Sequence, residues 1–166
     1  MIQPTRAEDR AASMREAFDR QFAAAPAGAV LAGERFLVIG VGGDMLLLRL
    51  SQIAGLFADR RIVPMPRAVS SLLGITGLRG AILPVHALGV ALGYPPASAR
   101  PRWLVTLATA PLAFAFEHFE RHVEIARDRI VPRADSGRGH GHLREAAPVG
   151  GDNLSIVDLP SVAAAL

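Results

Sequence analysis

His118 and His122 stand four residues apart, and His140 and His142 two apart, so imidazole chemistry is the first to weigh. On a helix the first pair would share a face and hold a metal, with Glu117, Glu120 and Glu124 as nearby carboxylates. The His-Glu-x-x-His pattern is missing, and a solvated polar face is the simpler account. Gly139-His140-Gly141-His142 is too glycine-rich to preorganise ligands. No Gly-x-Ser-x-Gly elbow exists, and Asp128, Asp135, Asp152 and Asp158 are scattered. Cysteine is absent, which removes thiolate ligands, disulfides and thiol nucleophiles together. No enzyme and no cofactor is expected.

The glycines suggest turns rather than phosphate cradles. Gly40-Val41-Gly42-Gly43-Asp44 follows a strand-like run, but a dinucleotide fingerprint needs a small residue where Met45 stands. A second strand-like run follows, so a hairpin is the better reading. Gly74, Gly77 and Gly80 are spaced by three with no lysine behind them. Their expected use is positive φ and close backbone approach. Arg79, set between Leu78 and Gly80, is by default a surface arginine on a loop.

Those side chains need a scaffold, and the composition allows one. The chain has 166 residues, 51% of them hydrophobic, enough for one domain or two small lobes sharing a core. Its charge is +3, and all 18 basic residues are arginine. With so little titrating above neutrality, a pI near 10.8 says nothing about nucleic acid. Arg60-Arg61 and the arginines from Arg121 to Arg144 are the candidates for phosphate contact. The latter alternate with Glu124, Asp128, Asp135 and Glu145, and aromatics are only 5%, so a solvated mixed-charge surface is the simpler reading and a nucleic-acid-binding small barrel the alternative. No apolar run nears the ~20 residues of a membrane helix. The N-terminus lacks a charged-then-apolar leader, and a soluble, cytoplasmic protein is expected.

Thr5 to Ala25 is predicted as a helix, with Met14, Phe18 and Phe22 at four-residue spacing and a Thr5/Glu8 capping box. Short strands follow: Phe36 to Val41, Met45 to Leu50, Ile75 to Leu78, Ala81 to Val85, Trp103 to Ala108 and Leu154 to Val157. Ile62 to Pro66 is extended and Val69 to Leu73 one helical turn. His86 to Leu92 and Pro160 to Leu166 are short helices. Leu112, Phe114 and Phe116 alternate with Ala113 and Ala115, large on one face and small on the other. His118 to Ile130 can continue as a strand with a bulge, and Pro132 to Gly141 is a loop. The predicted fold is therefore a mostly β small barrel or sandwich.

The order of these motifs resembles the CheW-like family from Arg35 onward. Phe36-Leu37-Val38-Ile39 with Gly42-Gly43-Asp44 looks like its opening hairpin. Ile62 to Pro66, Leu73 to Gly80 and Ile82 to Val85 resemble its proline-bearing strand, its glycine-framed arginine turn and the strand after it. Trp103 to Leu107, Phe114 to Glu117 and Leu154 to Leu159 are similar to later strands. The resemblance implies two five-stranded, SH3-like lobes over residues 35–166, after an N-terminal extension at 1–34. It implies a non-catalytic adaptor joining the cytoplasmic tip of a methyl-accepting chemoreceptor to the regulatory domain of a CheA-like histidine kinase. Leu50, Gln52, Gly74 and Arg79 would line a receptor-binding groove between the lobes. The chain departs from the family pattern at Gly77, where asparagine is usual, at Gln52, often acidic, and at Ala87, where aspartate is usual. All three are expected to be surface choices that leave the fold intact. They imply an alternative, non-flagellar pathway such as twitching or second-messenger control.

Overall fold

A computed structural model describes residues 33–66, 69–97, 100–133 and 141–166. The predicted N-terminal helix lies outside these residues. Among the described residues eleven strands make two sheets. The first contains β1 (Gly33–Val41), β2 (Asp44–Arg49), β8 (His118–Ala126), β9 (Val131–Pro132), β10 (Glu145–Val149) and β11 (Asp152–Val157), in the order β8-β1-β2-β11-β10-β9. The second contains β3 (Ile53–Ala58), β4 (Leu72–Leu78), β5 (Ala81–Ala87), β6 (Trp103–Leu107) and β7 (Ala113–Phe116), in the order β3-β6-β7-β5-β4. The second lobe is thus inserted in the chain between β2 and β8 of the first. One lobe has the five expected strands; the other gains a sixth through the short β9.

The inner strands are apolar on both faces, which is why they read as continuous runs rather than alternations. Phe36, Val38, Leu47, Ala147 and Ile156 fill the first lobe. Val85, Leu104, Ala113 and Ala115 fill the second. Their sequence neighbours Leu37, Ile39, Leu46, Leu48, Val105, Phe114, Phe116 and Val157 point the other way into a core common to both. The alternation of β7 follows from this. At β7 the alanines face the interior that Val85 and Leu104 already fill, while the phenylalanines fill the space between the lobes.

Chain punctuation closes each lobe. Val63 pairs with Ile75 in an antiparallel bridge, and the Thr76 hydroxyl donates to the Arg61 carbonyl at 2.8 Å. The segment leaving β3 therefore runs along β4 and joins the two ends of the second sheet. In the first lobe Arg49 donates to Glu34 at 2.8 Å and to Glu145 at 2.7 Å, tying β1, β2 and β10. Burial opposes that charge, but the two carboxylates outweigh it and hold the guanidinium above its ordinary range.

Several local expectations need correction. Val69 to Leu73 is not helical: Leu72 N–H closes a single β-turn on the Val69 carbonyl, and Leu72 already pairs with His86 in the ladder. His86 and Ala87 finish β5, leaving only Leu88–Ala91 as α1. The closing helix α2 is Leu159–Ala164, with Pro160 in its first turn. Glu145–Val149 is a strand despite Pro148.

His86 is 8% exposed, its Nδ1 lies 3.0 Å from the Ser71 hydroxyl, and its ring meets Phe114 edge-on. Burial holds the imidazole below its ordinary value of 6.5. As pH falls the unfolded chain takes up this proton first, so stability is full above that value and declines below it. Urea melts between neutrality and pH 5 are expected to show this decline, and His86→Gln is expected to reduce it. An unchanged profile in that variant would assign the decline to other groups.

Candidate functional site

Three of the antiparallel hairpins close through two-residue loops whose central residues both have positive φ, the requirement of a type I′ turn. Two loops are Gly42-Gly43 and Gly150-Gly151, which adopt it freely. The third is Arg79-Gly80, with φ of 49° and 83°. A side chain in the left-handed region costs about 1–2 kcal/mol that glycine would not incur. The arginine therefore occupies the strained position of an otherwise unstrained motif.

The geometry around it is defined. The Arg79 guanidinium lies over the Phe57 ring at 5.4 Å, and Arg60 approaches the same ring at 5.6 Å. Phe57 is on β3 and Arg79 follows β4, the two end strands of the second sheet, so the stack also spans its closure. Stacking holds the guanidinium while leaving its in-plane N–H groups free to bind a carboxylate or carbonyl. Phe57 was missed in the sequence, because Ile53-Ala54-Gly55-Leu56-Phe57-Ala58 mixes small residues into a strand of weak β signal, and Arg60 was weighed only for phosphate contact.

The other three predicted groove residues each make contacts within the fold. Leu50 opens the 3-10 turn Leu50–Gln52 that links the lobes, and packs half-buried on the shared core. The Gln52 amide nitrogen donates to Asp158 Oδ1 at 3.0 Å, and its oxygen accepts from Leu159 N–H at 3.1 Å. Its backbone carbonyl accepts from Ala108, so one residue pins the first lobe's C-terminal strand to the end of β6. Gln52 is therefore no free surface choice, and its side chain does not reach for Arg79. Gly74 is buried with φ 148°, and a Cβ there would stand 2.1 Å from the Val63 carbonyl oxygen. It permits the bridge that closes the second lobe. Of the remaining departures, Gly77 is exposed. Ala87 is half-buried at the start of α1, which has no side-chain cap where an aspartate would supply one.

The competing chemistries fare less well. His118 pairs opposite Gly40 and His122 opposite Leu37, across a bulge, which places them on opposite faces of β8. Among the described residues no group of three His, Asp or Glu could hold a metal. Arg49, Arg102, Arg121 and Arg127 are each engaged by a carboxylate. Among the described residues no helix is long and apolar enough to cross a membrane.

The CheW-like domain family matches residues 35–166. Among solved structures, the crystal structure of the scaffolding protein TtCheW from Thermoanaerobacter tengcongensis aligns with a TM-score of 0.68 at 15% identity. That alignment covers 76% of this chain and 89% of the other, a likeness of fold. A search of curated proteins finds no match. The family match spans both lobes, the glycine-framed arginine turn and the closing strand, and it carries no catalytic role. This chain belongs to the CheW-like domain family of non-catalytic scaffolds in chemotactic signal transduction.

Proposed function

We propose that the protein couples chemoreceptors to a CheA-type histidine kinase, with the receptor's cytoplasmic tip held against Arg79 and Leu50. Gln52 and Gly74 would position that surface rather than touch the receptor. The observation that carries the reading is Arg79 itself: left-handed strain is kept at one hairpin, where two others use glycine, and it holds an exposed guanidinium stacked on Phe57. An arginine stacked on Phe57 is a preset donor for a carboxylate or backbone carbonyl of the receptor helices.

A second surface suits the kinase regulatory domain. Val63 pairs opposite Ile75 and Ile82 opposite Gly77, so their side chains share one face of β4–β5. Val63 is 47% exposed and Ile82 74%, an apolar stripe that a partner domain would cover. Both partners present these parts in the cytoplasm, which is where the proposal places the chain. The departures at Gln52, Gly77 and Ala87 favour a pathway other than the flagellar one.

Arg79→Gly and Arg79→Glu test the receptor contact together. The glycine variant is expected to stay within about 1 kcal/mol of wild type, because relief of the left-handed strain offsets the lost stack on Phe57. Both variants are expected to bind vesicle-templated receptor cytoplasmic fragments from the same genome at least about tenfold more weakly, as loss of a charge-assisted contact implies. Unchanged receptor binding by Arg79→Glu would remove Arg79 from the interface.

A further inference from the structure

Glu117 sits between β7 and β8, and its Oε2 is buried with no hydrogen-bond partner, alone in this among the described side chains. A carboxylate oxygen removed from water and left unpaired is costly, and native proteins seldom retain one without use. Glu117 also lines a cavity of about 140 Å³ whose wall includes Leu73, Val90, Tyr94, Pro95, Pro96 and Ala115. Through Gly42, Ala97 and Glu117 the cavity adjoins a wider hollow of about 400 Å³, bordered by Asp44. The chamber is thus apolar along its side and anionic at Glu117, in a chain of net positive charge.

Such a chamber suits a flexible apolar stem ending in a positive charge, since methylenes pack on prolines while the charged head meets the carboxylate. A neutral donor would satisfy the oxygen but leave the charge unbalanced, and an anion would be repelled. We propose that this cavity is a binding site for an alkyl-guanidinium or alkyl-ammonium group, with its charge against Glu117. The inference is independent of the receptor and kinase assignments, because it uses none of Leu50, Gln52, Gly74 and Arg79, nor Val63 and Ile82.

The test titrates the full chain with n-butylguanidinium chloride at constant ionic strength. The Glu117 side-chain carboxyl carbon and the amides of Val90 and Ala115 are followed by NMR. A saturable shift at these positions is expected, weakened about tenfold or more in Glu117→Gln, which keeps the shape and removes the charge. A non-saturating shift, or equal affinity in Glu117→Gln, would overturn the proposal. Glu117→Leu gives a second readout that does not depend on ligand. Replacing an unpaired buried carboxylate by an apolar side chain is expected to raise Tm, whereas a lowered Tm would mean the carboxylate is satisfied within the fold. The blocked peptide acetyl-Leu-Arg-Leu-amide separates the two sources of such a group. Tighter binding than n-butylguanidinium would assign the site to a partner's arginine, and weaker binding to a free small cation.

Discussion

Gly74→Ala is expected to lower unfolding stability by about 3–5 kcal/mol, the sum of left-handed backbone strain and overpacking. The three nearest atoms to the new Cβ would be the Val63 carbonyl oxygen at 2.1 Å, its carbon at 2.8 Å and Pro64 Cα at 3.0 Å. All are backbone, so no side chain can rotate away. Relief requires breaking the Val63–Ile75 bridge, whose two hydrogen bonds measure 2.8 and 2.9 Å. The damage is therefore local in origin but falls on the strand that closes the second lobe. Urea titration with tryptophan fluorescence checks it, because Trp103 lies on β6 of the same sheet. A loss under about 1 kcal/mol would mean the segment before β4 is not held where it is placed here.

Phe116→Ala is expected to cost about 3–5 kcal/mol, the range for emptying a buried aromatic site. Phe116 is fully buried and belongs to the core common to both sheets. Its strand neighbour Ala115 faces the second lobe's own interior, so the two adjacent positions report on different cores. Because Phe116 joins the lobes, the variant should melt at lower denaturant yet in one transition, by fluorescence and circular dichroism alike. Two separated transitions would mean the lobes are independent units rather than halves of one core.

Much of this fold was legible because its strongest signals are local. The Gly42-Gly43 and Arg79-Gly80 loops sit between apolar runs, so their hairpins could be placed from spacing alone. The bulge expected after His118 is present, since Val38 pairs with Arg121 and Ile39 with Phe119, leaving Glu120 extra. Strand β3 was missed because Ala54, Gly55 and Ala58 carry little β signal, and its place is set by pairing with β6. Strand β10 was missed because Pro148 and two alanines argue against a strand, although β9 and β11 pair with it on either side.

The candidate site was legible in its landmark and not in its wiring. Arg79 stood out as a charged residue framed by glycines. The stack on Phe57 could not be read, since the two residues belong to opposite ends of a sheet whose closure depends on pairing. Gln52 is expected in the groove by its position, and only the folded chain shows its bond to Asp158, 106 positions away. Gly74 is expected there by its place in the turn motif, and its close approach to Val63 adds a closing role that spacing does not reveal.

Calorimetric titration of the folded chain against the regulatory domains of the CheA-type kinases encoded in the same genome, at physiological salt, tests the coupling account most directly. The account predicts binding to one of them with a Kd of about 1 μM or tighter, about −8 kcal/mol. It also predicts that Ile82→Asp weakens this binding while Arg79→Glu leaves it intact. Failure of every kinase to bind a sample that melts cooperatively would contradict the proposed coupling and leave a CheW-like scaffold serving other partners.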